Sequence, residues 1–394
     1  MKICLINTLY HPYQVGGAER SVQILAESYV RLGHEAVVIT LGQQDERQTH
    51  NGVRIIRKTL QNAYWPFTDT PKNALQKIIW HSKDIRNAAM GKVIGAILDE
   101  EKPDVVHTNN LAGFSVAAWD EVKRRHIRLI HTLRDYYLLC YRTTMYKQDQ
   151  NCVTQCTDCK LLSLPKKSGQ AQPDCAVGIS DYVLSRHLKF GFFRQSEQAV
   201  IFNSYDPPPC TEPGHADRPL TFGYIGRLAE SKGLETLINA FREIAKQHPV
   251  QLRIAGKGNP AYVEGLQRLA GDAPISFIGH SDLPSFFGAI DFTVVPSLWH
   301  EPLGRVVIES YAHGVPVIAS STGALPEIVT SGQTGYLYNT PAQLVELMQS
   351  MVTLSSGSRQ ALKLNCERRA AECFTSARVA EQYLALYAGQ APTR

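Results

Sequence analysis

No run of about 18 consecutive apolar residues occurs in this 394-residue chain, so no segment is expected to span a bilayer as a helix. The apolar part of the opening MKICLINTLYHP is too short for the hydrophobic region of a secretory signal and reads as a first buried β-strand. Internal repeats and long low-complexity tracts are missing as well. The cysteines number nine, an odd count scattered through a long chain without a secretory signal. That argues against a disulfide framework and for a reducing compartment, the cytoplasm by default.

With 44% hydrophobic residues, the chain is too long for one ordinary core and is expected to form two domains. Short apolar runs alternate with helical patterns throughout, the mark of parallel α/β architecture. The strand-like runs are 3–7, 36–40, 53–56, 105–107, 129–132, 176–179 and 199–202, then 221–225, 251–255, 275–278, 292–295 and 316–319. Between the two sets lies NSYDPPPCTEPGHADR, residues 203–218, holding Pro207, Pro208, Pro209 and Pro213, with Pro219 just beyond. Proline disfavours helix and central strand alike, so this is read as the linker between domains at 1–204 and 205–375. The net charge of +5 is uneven: residues 1–205 hold 26 Lys/Arg against 19 Asp/Glu, the rest 15 against 17. A basic first half suits an anionic lipid surface or a phosphorylated ligand, and equally an ordinary solvated surface.

The most specific stretch is HEPLGRVVIESYAHGVPVIAS, His300 to Ser320. Residues 305–313 have helical periodicity, and free N–H groups at the helix start, near Leu303 and Gly304, make a phosphate site. Gly304 also lets the backbone come close to a ligand. Glu309 lies roughly 7 Å down the axis, and helical side chains lean toward the N-terminus, so its carboxylate points up at the ligand, where ribose hydroxyls suit it. Glu301, on the loop before the helix, faces whatever is attached beyond the phosphates. The spacing alone also fits a plain amphipathic helix with two solvated glutamates.

The longer run HEPLGRVVIESYAHGVPVIASSTGALPEIV resembles the signature of retaining glycosyltransferases of the GT-B fold, in glycosyltransferase family 4 (group 1 glycosyltransferases). The resemblance covers nearly the whole chain and is strongest from Thr221 to Tyr338. It implies two Rossmann-like α/β domains whose parallel sheets face across a central cleft, with a last helix, Ser376 to Tyr387 in residues 376–394, returning to the first domain. It places Glu309 on the ribose and Glu301 beside the donor sugar. GRL followed by SKG matches the family's diphosphate-binding cations, here Arg227 and Lys232. A leaving nucleoside diphosphate gains negative charge as the glycosidic bond breaks, and two cations with helix-start amides neutralise it without a metal. Each charge-assisted contact contributes on the order of 1.5 to 3 kcal/mol. The loop HPYQVGGAERS resembles the family's loop over the donor phosphates and acceptor, with Gly16 and Gly17 permitting close approach or positive φ. The resemblance puts the contact to the nucleotide base near Ser281 and Asp282. No Asp-x-Asp pair occurs, so the metal-bridged arrangement of the other main glycosyltransferase fold lacks its ligands, and no catalytic divalent ion or other catalytic cofactor is expected.

The segment LIHTLRDYYLLC departs from the TLHDYW.LC of a related subgroup, in which the His lies near sugar and acceptor: Arg134 stands at that position and His131 three residues earlier. Either His131 has a different task or Arg134 has taken over a polar contact to sugar or phosphate. An Arg cannot act as a general base near neutral pH, which a retaining front-face reaction tolerates, because the departing phosphate oxygen accepts the proton. Cys140, Cys152, Cys156 and Cys159 follow as C-x11-C-x3-C-x2-C. They are read either as a structural zinc site pinning a loop without a core or as free cytosolic thiols. PKNALQKIIWHSKDIRNAAMGK interleaves Leu75, Ile78, Ile79, Trp80 and Ile85 with Lys77, Lys83, Arg86 and Lys92. It suits either an anionic membrane surface or a packed helix with a basic outer face.

The resemblance therefore implies a metal-independent hexosyltransferase. Its partners would be a nucleoside diphosphate sugar donor and a glycan or lipid-linked acceptor of cell-surface polysaccharide synthesis, with no nucleic acid. Its place would be the cytoplasm, peripherally on the inner face of the membrane. A nucleotide-sugar epimerase of the same fold and a non-catalytic nucleotide-sugar-binding partner are the rival readings.

Overall fold

Parallel strands covered on both faces read as unbroken apolar runs, and the runs of this chain assemble into two separate sheets. The computed structural model describes residues 1–14, 16–68, 70–167, 172–207 and 218–391. Its strands in chain order are β1 Lys2–Ile6, β2 Glu35–Gly42, β3 Glu46–His50, β4 Val53–Thr59, β5 Val105–Thr108, β6 Arg128–Leu133, β7 Tyr146–Lys147 and β8 Gln150–Asn151. They continue with β9 Cys175–Gly178, β10 Glu197–Val200, β11 Leu220–Ile225, β12 Val250–Ala255, β13 Ile275–Gly279, β14 Phe292–Val295, β15 Val317–Ser320 and β16 Gly335–Tyr338.

The chain divides into two units, the first made of Met1–Met145, Cys152–Ser204 and Ser376–Arg394 and the second of Tyr146–Asn151 and Tyr205–Thr375. The short antiparallel hairpin β7–β8, expected with the first domain, thus belongs to the second unit. Residues 208–217, most of the expected linker with Pro208, Pro209 and Pro213, lie outside the described residues.

The sheet of the first unit runs β10-β9-β6-β5-β1-β2-β4-β3, parallel except for β3 against β4. The helix Ser376–Tyr387 is part of this unit's core: Val379, Ala380, Tyr383 and Leu386 are buried with Ile3, Leu25, Tyr29 and Ile130. Buried tyrosine hydroxyls need partners, and Tyr387 shares hydrogen bonds with Tyr29 at 2.6 Å and with His107 Nδ1 at 2.6 Å.

The sheet of the second unit is wholly parallel, ordered β13-β12-β11-β14-β15-β16. After β11 the chain winds outward to β12 and β13, then crosses back to β14 and winds the other way. The reversal lies between β11 and β14, the switch point beside which ligands bind in open α/β sheets. The helix Leu234–Ala245 covers this sheet with Leu234, Leu237, Ile238, Phe241 and Ile244, all buried. Each such side chain contributes about 1.5–3 kcal/mol by leaving water. Periodicity overlooked β3, β7, β8 and β16; of these β3 and β16 are edge strands of the large sheets, and β3 reads ERQTH, polar because an edge faces solvent.

Candidate active site

The loops leaving β11 and β14 meet at the switch point of the second unit. Ser231 O accepts from the backbone N–H groups of Leu298 and Trp299, both at 3.0 Å. Gly233, which ends the short 3-10 turn Glu230–Lys232, has φ +68, and a Cβ there would lie 2.0 Å from Pro296 O. Only glycine permits that conformation and that approach, so the two loops are joined backbone to backbone.

This joining brings Lys232 to Glu301. Lys232 Nζ donates to Glu301 Oε1 at 2.5 Å, and the same oxygen accepts from Ser297 Oγ at 2.7 Å. The Trp299 ring lies 4.8 Å from the ammonium, a cation–π contact. Behind them Tyr224, on β11, donates its hydroxyl to Arg227 O at 2.8 Å. Burial raises its phenol well above the ordinary range, with the Glu301 charge adding to this and the Arg227 charge opposing it. Arg227 and Glu301 therefore act on a common neighbour. The Arg227 guanidinium is exposed and has no ion-pair partner among the described residues.

Hairpin β7–β8 fastens the same loop. The Asn151 amide donates to Leu298 O at 2.7 Å, and its oxygen accepts from His300 N at 2.9 Å. Asn151, Tyr224, Ser297 and Trp299 were not singled out from the sequence. Ser297, four residues before Glu301 in PSLWHE, had the clearest signal, a hydroxyl within loop reach of the carboxylate.

The helix expected from Arg305 runs Arg305–Ala312, with Gly304 before it at φ +90 and Leu303 buried. Glu309 lies in its second turn and accepts from Arg305 Nε at 2.7 Å, so its carboxylate is turned toward the N-terminal end, where a cation already holds it. Ser281 and Asp282 lie at the start of the helix Leu283–Gly288. Asp282 is its N-cap, accepting from Ser285 N at 2.9 Å, and that backbone hydrogen bond keeps its carboxyl below the usual range. Asp282 therefore has a structural task in addition to the base contact expected of it.

In the first unit, Gly16 and Gly17 begin the helix Gly17–Arg31, and neither has positive φ. Gly16 is extended at φ −151, and its N–H donates to Glu19 at 3.0 Å. Of the two uses glycine permits here, close approach or positive φ, the second is not taken: the capping carboxylate fixes this turn without a left-handed residue. A Cβ on Gly16 would meet nothing nearer than 3.8 Å, which leaves the loop face open.

His131 is buried on β6, 2.9 Å from Thr108 Oγ1 and edge-on to Trp119. Burial depresses it to about 3, so it stays neutral and is a poor general base. Arg134 is buried too, and both residues line a small pocket with Asn109, Asn110 and Tyr137. Its guanidinium donates to Asn109 Oδ1 at 2.8 Å and to Asn203 Oδ1 at 2.6 Å.

The expected basic helix is two helices, Ala74–Ile85 and Ala88–Glu101, separated because Asn87 caps the second. Trp80 is buried, whereas Leu75 and Ile78 are 66% and 62% exposed, so the apolar face is only partly packed. No described helix is long and apolar enough to cross a membrane. Cys140 and Cys159 place their sulfurs 3.6 Å apart.

Two open, largely parallel sheets, one of them with a switch point between β11 and β14, define a doubly wound α/β class. The family described as "Glycosyl transferases group 1" matches residues 219–354, and the "Glycosyl transferase 4-like domain" matches residues 16–195. An uncharacterised 42.6 kDa protein in the cps region of Klebsiella pneumoniae is 38% identical over 331 residues, covering 83% of this chain and 87% of that protein. The chain belongs to the group 1 glycosyltransferases. Its fold is similar to that of sucrose-phosphate synthase from Thermosynechococcus elongatus (TM-score 0.77, 23% identity, 98% of both chains). It is also similar to that of HepE from Anabaena in complex with UDP and glucose (TM-score 0.69, 18% identity, 98% and 99% of the chains). The fold is accordingly GT-B and the protein a glycosyltransferase.

Proposed function

We propose that this enzyme transfers a hexose from a nucleoside diphosphate sugar, with retention and without a metal, to a hydroxyl of a glycan or glycolipid acceptor in the synthesis of a cell-surface polysaccharide. The observation that carries the reading is the Lys232–Glu301 pair beside the N-terminus of Arg305–Ala312, with the exposed Arg227 on the adjoining loop. Two cations and helix-start amides suit a diphosphate leaving group. Glu301 is the group beside the sugar, and Glu309 the partner of the ribose hydroxyls once they displace Arg305. Lys232 exchanges its carboxylate for the diphosphate, whose oxygen takes the acceptor's proton, so no protein base is required. The cps-region relative from Klebsiella pneumoniae supports the polysaccharide setting, and the HepE complex with UDP and glucose supports a UDP-sugar as the first donor to try. The exposed Leu75 and Ile78 beside Lys72 and Lys77 support peripheral contact with an anionic membrane bearing a lipid-linked acceptor.

The test is incubation of purified protein with UDP-, GDP- and ADP-sugars in the presence of a chelator, following nucleoside diphosphate release. Release from one donor, abolished in Glu309→Ala, and a product with the donor's anomeric configuration are expected. Epimerised donor, or donor binding without turnover, would overturn the reading.

A further inference from the structure

The loop between β6 and β9 contains a side-chain cluster that sugar transfer does not use. Cys156 immediately precedes the helix Thr157–Lys167 and Cys159 lies in its first turn, where Lys160 N bonds Cys156 O at 2.8 Å. The Cys156 and Cys159 sulfurs and the Asp158 carboxylate lie within 4.8 Å of one another. Cys140 reaches the same place from the turn after Leu139, its Sγ 3.6 Å from that of Cys159. Cys159 thus touches the thiols of both Cys140 and Cys156.

A sulfur pair at 3.6 Å is well beyond the roughly 2.05 Å of a disulfide. It is close to the edge of a tetrahedron of thiolates around zinc, about 3.8 Å for Zn–S bonds of about 2.3 Å. Soft sulfur ligands in tetrahedral disposition select zinc among the common divalent ions. Cys140 and Cys159 are both buried and Cys156 is half-buried, so the sulfurs are largely shielded from water.

We infer that Cys140, Cys156 and Cys159 bind a structural zinc ion, with the fourth corner filled from the same loop by Asp158 or by Cys152, which is half-buried at the end of β8. On binding, the thiols release their protons and the sulfurs form bonds to Zn(II), with no change of oxidation state. The ion anchors a loop whose backbone is otherwise tied mainly by turns, and Met145 and Cys152, joined by a 2.7 Å backbone hydrogen bond, are the residues where hairpin β7–β8 leaves and rejoins the loop. This inference does not rest on the transfer reaction proposed above.

The full-length chain, purified without a histidine tag under reducing conditions from zinc-supplemented cells, is analysed by inductively coupled plasma mass spectrometry. About one zinc per chain is expected, lost in Cys159→Ser and in Cys156→Ser. Because either variant can fail to fold, the wild type supplies a second readout. A strong chelator should remove the zinc, lower Tm and open the cysteines to thiol titration, and added zinc should reverse all three. Cobalt(II) in its place should give a thiolate-to-metal charge-transfer band. No zinc after reconstitution, thiol reactivity indifferent to zinc, iron in place of zinc, or a Cys140–Cys159 disulfide in the native protein would each overturn the inference.

Discussion

Replacing Lys232 by Met separates the ion pair the structure shows from the role proposed for the same ammonium in transfer. At rest it neutralises Glu301 at 2.5 Å, with side-chain exposures of 21% and 11%; in the proposed reaction it faces the departing diphosphate. Loss of a charge-assisted contact made in the transition state removes about 1.5–3 kcal/mol, or roughly 10- to 150-fold in kcat. Stability also falls, because among the described residues Glu301 then keeps only the Ser297 hydroxyl. Breaking a fully buried pair costs about 3–5 kcal/mol, and the residual exposure puts this pair below that, at about 1–2 kcal/mol. Urea unfolding and nucleoside diphosphate release at saturating donor are measured for Lys232→Met, Glu301→Gln and the double variant. The double variant should recover stability, since a neutral Gln needs no cation, without recovering turnover. A Lys232→Met enzyme with kcat within twofold of wild type and ordinary donor binding would refute the reasoning.

Gly233→Ala forces a Cβ to 2.0 Å from Pro296 O at φ +68. It should destabilise the second unit by at least about 1–3 kcal/mol, seen as a lower urea midpoint; an unchanged midpoint would mean the loops are not joined as described. Asn151→Ala removes two hydrogen bonds to the Leu298–His300 loop, about 1 kcal/mol each, and should lower turnover a few-fold while retaining the fold by circular dichroism. His131 has its folded pKa depressed to about 3 by burial, so its contribution is fully present above the unfolded value near 6.5 and is lost as pH falls toward 3. Between pH 7 and pH 5 wild type should therefore lose about 2 kcal/mol more stability than His131→Asn, as denaturant titrations at the two pH values would report.

The second unit was legible because its strands are doubly covered and its helices amphipathic. β11, β12, β13, β14 and β15 each fall on a predicted run, and the buried face of Leu234–Ala245 is the one that periodicity picks out. Lys232 and Glu301, 69 positions apart, could be joined only through family resemblance, since neither spacing nor propensity encodes a contact between two loops. β3 and β7–β8 escaped notice for the opposite reason. Their residues are polar and their runs short, and pairing rather than composition makes them strands. His131 misleads in another way: a histidine at the end of an apolar run looks the same in sequence whether it serves the core or a ligand, and burial decides.

Gly323 carries this argument one step further. It has φ +57, and a Cβ there would sit 2.5 Å from Glu301 N and 2.6 Å from Glu301 O, while Ala324 N donates to that same carbonyl at 2.9 Å. Gly233 does the same for the Lys232 loop against Pro296. The cation and the carboxylate are therefore each presented by backbone pressed against backbone, where no side chain is small enough to substitute. Side chains on such a frame lose little freedom when a ligand arrives, which is what a site that must stabilise a developing charge requires. The chemistry proposed for SKG and HEPLG through STGAL thus rests on Lys232 and Glu301, and the precision of their placement on Gly233 and Gly323.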